Sequence, residues 1–122
     1  MKRLTEDQRE YISSQGLGRL ATIGRDGTPH VVPHSFTVVD SEHIILGGFN
    51  LAATKTFADA AANPRVAFVV DDVVSTDPWQ VRGVEIRGEA ETVSDGGEKL
   101  GPGFGPAFIR VKPNRIVSWG LD

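Results

Sequence analysis

The chain has 122 residues, which predicts a single domain spanning residues 1–122. Its 16 acidic and 13 basic residues give a net charge of −3, so it lacks the positive charge expected of a nucleic-acid-binding protein. It contains no cysteine, which excludes disulfides, thiolate metal sites and cysteine nucleophiles. No apolar run approaches the roughly 20 residues that span a bilayer, and the first residues lack a hydrophobic signal segment, so we expect a cytoplasmic protein without a membrane span.

The first half of the chain predicts one helix followed by short strands. Thr5 and Gln8 have the spacing of a capping box, and we expect a helix over residues 6–15. Asp26-Gly27 is a strong signal for a hairpin turn. Pro33 cannot donate to a ladder, so it should lie at a sheet edge or a bulge. The strands in this half are predicted at residues 19–23, 31–39 and 43–48.

The second half predicts another helix and then mainly strands. Residues 51–62 are rich in alanine, and Asn63-Pro64 ends this helix. Residues 84–91 alternate between apolar and polar, as a half-buried strand does. The remaining elements are a fully buried strand at 66–70, a polar loop at 71–79, a Gly/Pro-rich loop at 95–106 and one strand or a broken pair between 108 and 119. Short strands and few helices favour a mainly β fold, a small barrel.

Two motifs with a known chemistry lack the structural context that this chemistry needs. Residues 16–21 have the spacing of a nucleotide-binding glycine motif, but they follow a predicted helix and open a strand, which reverses the required order. His30 and His34 have the spacing of zinc-binding helices. On a strand they lie about 13 Å apart, which is too far to share a metal ion. We therefore predict no metal site.

The segment after the third predicted strand is the best candidate for binding an anion. Gly47-Gly48 would let a ligand approach the backbone. The helix start that follows offers unpaired N–H groups and the positive end of the helix dipole. Thr54 and Thr56 add hydroxyl groups, and Lys55 adds a positive charge. These residues predict a phosphate-binding site, although a helix cap with an exposed lysine would use the same residues equally well.

Several motifs follow one another in a fixed order along nearly the whole chain. They are Leu20-Ala21-Thr22-Ile23-Gly24, residues 26–33, Thr54-Lys55 leading into Asn63-Pro64-Arg65-Val66-Ala67, Arg87-Gly88-Glu89-Ala90 and Ile116-Val117-Ser118-Trp119-Gly120. Together they resemble the pyridoxamine-phosphate-oxidase-like split β-barrel superfamily. The last motif is similar to the ending of an actinobacterial subgroup that uses the deazaflavin coenzyme F-420. The resemblance implies a homodimer with two cofactor sites at its interface.

The resemblance also implies roles for individual residues. The deazaflavin ring and its ribityl chain should lie along Pro33, His34 and Ser35, and the chain should pass Gly48 and Asn50. The phosphate should be held by Ala53, Thr54, Lys55 and Thr56. Trp79 and Trp119 are expected to line the ring or the substrate, from the same or the partner protomer, or else to fill the core.

The function implied is hydride transfer from the reduced coenzyme F-420 to a small organic substrate, with the cofactor supplying the chemistry. A proton would come from water, Ser35 or Thr54. Flavin mononucleotide (FMN) is the alternative cofactor, but residues 30–40 and 43–49 contain no Arg or Lys to clamp its phosphate. An FMN-dependent oxidase or reductase and a non-catalytic cofactor carrier or sensor are the alternative functions.

Overall fold

A computed structural model describes residues 2–121, in which two α-helices and seven strands form a mainly β fold. All seven strands belong to one curled antiparallel sheet, in the order β2-β1-β5-β6-β7-β4-β3. The strands are β1 Gly18–Ile23, β2 Pro29–His34, β3 Thr37–Val38, β4 Ile44–Gly47, β5 Arg65–Thr76, β6 Trp79–Val93 and β7 Phe108–Trp119. The predicted mainly β class is therefore confirmed.

The first helix, α1, spans Glu6–Ser13 and begins at the predicted capping box. Thr5 accepts a hydrogen bond from the backbone N–H of Gln8, and the Gln8 side chain accepts one from the backbone of Thr5. The helix ends two residues earlier than expected because Ser14 caps it. Tyr11 and Ile12 are the residues that α1 buries against the sheet.

The hairpin between β1 and β2 follows the sequence prediction. Gly27 has a φ of 84°, which an L side chain rarely adopts, and Gly24 donates to the carbonyl of Thr28 across the turn. Asp26 accepts from the backbone N–H of Thr28 and fixes the turn. β2 is an edge strand of the sheet, which confirms the edge position expected for Pro33.

The predicted polar loop at residues 71–79 is wrong. β5 continues to Thr76 and pairs with β6, which begins at Trp79, so these residues form the far end of a long hairpin. Polar side chains are compatible with strands here because this part of the hairpin is largely exposed. Asp72 lies opposite Arg82 in the register, and the two side chains form an ion pair that joins the strands.

The last strand is continuous from Phe108 to Trp119 but contains a bulge where its pairing with β6 shifts by one residue. Gly88 lies opposite this bulge, and a Cβ atom there would lie 2.1 Å from the carbonyl oxygen of Lys112. The predicted loop at 95–106 contains a short 3-10 turn at Gly97–Leu100. Leu100 and Phe104 from this loop cover Gly47, so the small size of that glycine serves packing.

The predicted helix at 51–62 is divided into two parts. A 3-10 turn spans Leu51–Ala53, and the second α-helix, α2, spans Lys55–Ala62. Thr54 separates them, because its extended backbone and its side chain form the N-cap of α2. α2 packs against β1 and β6. Position 55 is consequently the first residue of the helix.

The core lies on the inner face of the curled sheet, where α1 and α2 cover it. Phe68 at its centre makes an edge-to-face contact with Phe36, whose ring centroid is 5.2 Å away. Alternate residues of β5 and β6 supply much of the apolar surface, as the period-2 pattern of residues 84–91 predicts. The fully buried apolar side chains include Ile12, Leu20, Ile44, Leu46, Ile86, Ile109 and Val111. Among residues 2–121, no helix is long and apolar enough to cross a membrane.

Candidate cofactor site

Lys55 lies where the start of α2 meets the turn between β1 and β2. A Cβ atom at Gly24 would be 3.2 Å from the Lys55 ammonium nitrogen, so the absence of a side chain at Gly24 leaves room for that group. The Asp26 carboxylate lies 3.3 Å from the same Cβ position at Gly24. The side chain of Lys55 is 59% exposed and so remains accessible to a ligand. We call Gly24, Lys55 and the first turn of α2 the Lys55 site.

A buried carboxylate holds the Lys55 side chain in this position. Asp59 lies one helical turn further along α2, and its Oδ2 accepts a hydrogen bond of 2.6 Å from Lys55 Nζ. The Asp59 side chain is only 7% exposed. Sequence reasoning did not select Asp59, although its i, i+4 spacing from Lys55 on a predicted helix would have suggested the pair.

The threonines on either side of Lys55 have different environments. The hydroxyl of Thr54 donates to the carbonyl of Leu51 at 2.7 Å and accepts from the backbone N–H of Phe57 at 3.2 Å. Its proton is therefore already committed within the chain. Thr56 is buried, with 5% of its surface exposed. The donors that remain for a ligand are the Lys55 ammonium group and the N–H groups of the first turn other than that of Phe57.

The residues predicted to contact the ring lie at the other end of β2 from the Lys55 site. Pro33 and His34 pair with Arg19 and Gly18, four and five residue steps along β1 from Ile23, which corresponds to roughly 13 and 17 Å. The Nδ1 of His34 donates to the carbonyl of Ser35 at 2.7 Å and fixes the backbone where β2 ends.

The segment after β4 leads directly into the Lys55 site. The carbonyl of Gly48 accepts from the N–H of Gly105 at 2.9 Å, so the 101–107 loop anchors this segment. A Cβ atom at Gly48 would lie 3.7 Å from Leu51, which is an ordinary van der Waals distance. Gly48 is therefore more open than its neighbour Gly47. Asn50 and Ala53 are exposed on either side of Leu51.

The two tryptophans lie in a different part of the chain. They line an open groove of about 1000 Å³ beside α1. Trp79 is 66% exposed, and the Trp119 ring covers Gly83, where a Cβ would be 2.4 Å from the ring. The Lys55 site lies near Arg65, because β1 pairs with this end of β5. Trp79 pairs with Thr76 at the other end of β5, up to about 36 Å along the strand, and Trp119 pairs with Gly83, which faces Asp71, about 20 Å from Arg65. A single chain therefore does not bring the tryptophans to the Lys55 site.

A hydrogen-bonded network forms one wall of this groove. The phenol of Tyr11 donates to Asp72 Oδ1 at 2.7 Å, and Arg82 makes two hydrogen bonds to the same carboxylate. The Arg82 guanidinium also lies 4.9 Å from the centre of the Tyr11 ring. Burial and the contact with Asp72 raise the pKa of Tyr11 far above its ordinary value, while the contact with Arg82 lowers the pKa of Asp72. Sequence reasoning missed the network because it assigned Asp72 to a loop.

Within residues 2–121, no group of three or more histidine or acidic side chains has a geometry that could hold a metal ion. Besides the Tyr11 network, the structure assembles the cation of the Lys55 site and the exposed backbone leading to it. These features suit an organic anion that extends from the start of α2 along a strand.

A curled seven-stranded antiparallel sheet with two short α-helices is the architecture of a split barrel. The family model of pyridoxamine 5'-phosphate oxidase matches residues 4–116. The chain belongs to this family.

Relatives within the family include named reductases. A 5a,11a-dehydrotetracycline/5a,11a-dehydrooxytetracycline reductase from Streptomyces rimosus is 42% identical over 119 residues, which are 97% of this chain and 84% of that protein. A solved structure described as an F-420 reductase has a TM-score of 0.69 at 26% identity and covers 88% of this chain and 94% of its own. A FAD-binding protein from Mycobacterium smegmatis has a TM-score of 0.70 at 27% identity, covering 97% of this chain and 96% of its own. The chain is thus an oxidoreductase of the split-barrel class.

Proposed function

We propose that this protein is a reductase that binds coenzyme F-420 and delivers hydride to an activated carbon–carbon double bond of a small organic substrate. The observation that carries the proposal is the 42% identity, over 97% of this chain, to a reductase of dehydrotetracyclines. The fold similarity to an F-420 reductase supports the choice of cofactor. The 5a,11a bond of a dehydrotetracycline is conjugated to a carbonyl, which makes it a hydride acceptor.

The donor groups at the Lys55 site fit the phosphate of this coenzyme. That phosphate is a diester with one negative charge, and the site offers one ammonium group together with the N–H groups at the start of α2. The Thr54 hydroxyl cannot add a donor while it is bonded to the Leu51 carbonyl. An FMN phosphate carries close to two negative charges, for which this donor set is small.

The direction of β2 supports a position for the ring. With the phosphate at the Lys55 site, the ribityl chain would run along β2 toward Pro33, His34 and Ser35. The hydrogen bond between His34 and Ser35 keeps the backbone there in one conformation, which orients a bound ring for transfer. When bound, the reduced deazaflavin would supply the hydride. Because the Thr54 proton is committed, water or the exposed Ser35 hydroxyl would provide the proton that completes the reduction.

A homodimer completes the proposed site. Four apolar side chains at the far end of the β5–β6 hairpin are exposed, namely Val73, Val74, Trp79 and Val81. A cluster of this kind marks an interface rather than a solvated surface. In a dimer, this hairpin would bring Trp79 of the partner subunit toward the ring, together with the partner's Trp119, which pairs with Gly83 of the same hairpin. Light scattering should give twice the monomer mass at micromolar concentration, and a monomer would contradict this part of the proposal.

An FMN-dependent oxidase or reductase is the second candidate. It is favoured by the fold similarity to a FAD-binding protein at 27% identity, which shows that this fold also serves ordinary flavins.

Turnover with a defined acceptor tests the proposal. Reduced F-420 is mixed with the protein and a 5a,11a-dehydrotetracycline, and reoxidation is followed by absorbance, with reactions lacking acceptor or protein as controls. We expect acceptor-dependent reoxidation and a product two hydrogen atoms heavier than the acceptor. Binding of F-420 without turnover across a panel of conjugated carbonyl compounds would favour a carrier or sensor. Turnover with reduced FMN alone would favour the second candidate.

A further inference from the structure

Lys55, the cation of the Lys55 site, is flanked by two carboxylates. Asp59 holds the Lys55 ammonium at 2.6 Å from inside the fold. On the other side lies the Asp26 carboxylate. A Cβ atom at Gly24 would be 3.2 Å from the Lys55 ammonium nitrogen and 3.3 Å from the Asp26 carboxylate. The Lys55 charge also lowers the pKa of Asp26, after the larger effect of the hydrogen bonds from Thr28.

The net charge of this region is unusual for a phosphate site. The side chains of Lys55, Asp59, Asp26 and the exposed Arg25 of the turn sum to zero, and the exposed Arg65 at this end of β5 is the one further cation on the neighbouring strands β1 and β5 near the site. The nearby strands β2, β3 and β4 carry no Arg or Lys. Each added negative charge on a ligand is therefore repelled by Asp59, and this repulsion offsets part of the attraction to Lys55.

We propose that Asp59 determines cofactor specificity by neutralising part of the Lys55 charge, so that the site accepts a phosphodiester monoanion and disfavours a phosphomonoester dianion. This proposal rests on the proposed function, because it takes the Lys55 site to be the phosphate site. Asp59 has 7% of its side chain exposed and lies behind Lys55, so it acts on the ligand through its charge.

The size of the effect follows from Coulomb's law. A phosphate on the far side of the Lys55 ammonium would lie about 6 Å from the Asp59 carboxylate, where removing one charge changes affinity by roughly 3- to 10-fold for each phosphate charge. The phosphomonoester of FMN carries nearly two charges and the diester of F-420 carries one. Removing the Asp59 charge should thus strengthen FMN binding by roughly 10- to 100-fold and F-420 binding by only about 3- to 10-fold.

Asp59→Asn separates the charge of this residue from its packing. Asparagine has nearly the same shape and keeps an oxygen that can accept from Lys55. Dissociation constants would be measured for F-420, for FMN and for the two corresponding ribityl compounds that lack phosphate, riboflavin and the ribityl deazaflavin. Glu42→Gln is the matched control, because it removes one negative charge from an ion pair with Arg3 at the turn between β3 and β4, away from the Lys55 site.

We expect Asp59→Asn to lower the ratio of FMN to F-420 dissociation constants about 3- to 10-fold. The dissociation constants of the two ribityl compounds should not change in this variant, and the ratio should not change in Glu42→Gln. A parallel change for all four ligands, or no change, would overturn the proposal and leave Asp59 a purely structural residue. If wild-type protein binds no F-420, the proposed function fails, and the comparison of FMN with riboflavin still tests Asp59. Should Asp59→Asn not fold, Asp59→Ser also removes the charge and enters the same titrations.

Discussion

Tyr11 should titrate only at strongly alkaline pH while the protein is folded. Its ring is buried and its phenol donates to Asp72 at 2.7 Å, so ionisation would place a negative charge in the fold beside a carboxylate. Both effects raise the pKa of Tyr11, burial being the larger, and Arg82 offsets them only in part. In the unfolded chain the phenol has an ordinary pKa of about 10.

The direction of this shift makes stability depend on pH. Because the folded-state pKa is raised, the contribution of Tyr11 is complete below the unfolded pKa and is lost as pH rises through about 10 toward the folded value. At pH 11 the unfolded state gains about 1.4 kcal/mol from ionising this one phenol, against less than about 0.1 kcal/mol at pH 9. Tyr11→Phe removes the effect and should make the decline in unfolding free energy over this range shallower by about 1.3 kcal/mol.

The assay is direct because Tyr11 is the only tyrosine in the chain. Ultraviolet absorbance of tyrosinate therefore reports this residue alone, and denaturant melts of wild type and Tyr11→Phe at pH 9 and pH 11 give the difference in stability. Lysines titrate in the same range but are common to both proteins. A Tyr11 that titrates near pH 10 in the folded protein, or equal pH dependence in the two proteins, would refute the buried hydrogen bond to Asp72.

Three further substitutions test other parts of the structure. Lys55→Ala should weaken F-420 binding about 10- to 100-fold by removing a charge-assisted hydrogen bond, and should cost about 1–2 kcal/mol of stability because buried Asp59 loses its partner. Thr22→Val should stabilise the fold by about 1 kcal/mol, because the Thr22 hydroxyl is buried without a hydrogen-bond partner in the part of the chain described. Gly88→Ala should destabilise the fold by about 2 kcal/mol or more, because its Cβ would lie 2.1 Å from the Lys112 carbonyl oxygen. Binding titrations and denaturant melts measure these effects.

Matched controls decide each of these outcomes. Lys55→Ala with unchanged F-420 affinity would place the phosphate elsewhere. Thr37→Val makes the same change at an exposed strand position and should not stabilise, so an equal response to Thr22→Val would show that the buried hydroxyl is not the cause. Gly16→Ala adds a Cβ in open space, and a loss as large as that of Gly88→Ala would contradict the close contact at the bulge.

Local signals were sufficient to predict much of the fold. The capping box at Thr5, the Asp26-Gly27 turn and the alternation of residues 84–91 each depend on backbone geometry over a few residues, and the structure confirms all three. The edge position of Pro33 followed from its missing N–H group. These features need no knowledge of distant contacts.

The features that were missed depend on cross-strand contacts. Residues 71–79 are polar, and polarity alone favoured a loop, but Asp72 meets Arg82 across the hairpin and extends the ladder. Gly47 was interpreted as an opening for a ligand, whereas Leu100 and Phe104 from a distant loop fill that space.

The candidate site was predicted only in part for the same reason. Lys55 at a helix start was visible in the sequence, but its partner Asp59 became evident only once α2 was seen to bury that carboxylate. The separation of both tryptophans from Lys55 along β5 could not be inferred while residues 71–79 were assigned to a loop.

The most direct test of the proposed function is a side-by-side titration of the purified wild-type protein with coenzyme F-420 and with FMN under identical buffer and salt conditions. Binding would be followed by the fluorescence of each cofactor and checked by retention after desalting. We predict that F-420 binds at least about tenfold tighter, a difference of about 1.4 kcal/mol. FMN binding tenfold tighter than F-420 would contradict the proposed function and favour the flavin-dependent oxidase or reductase.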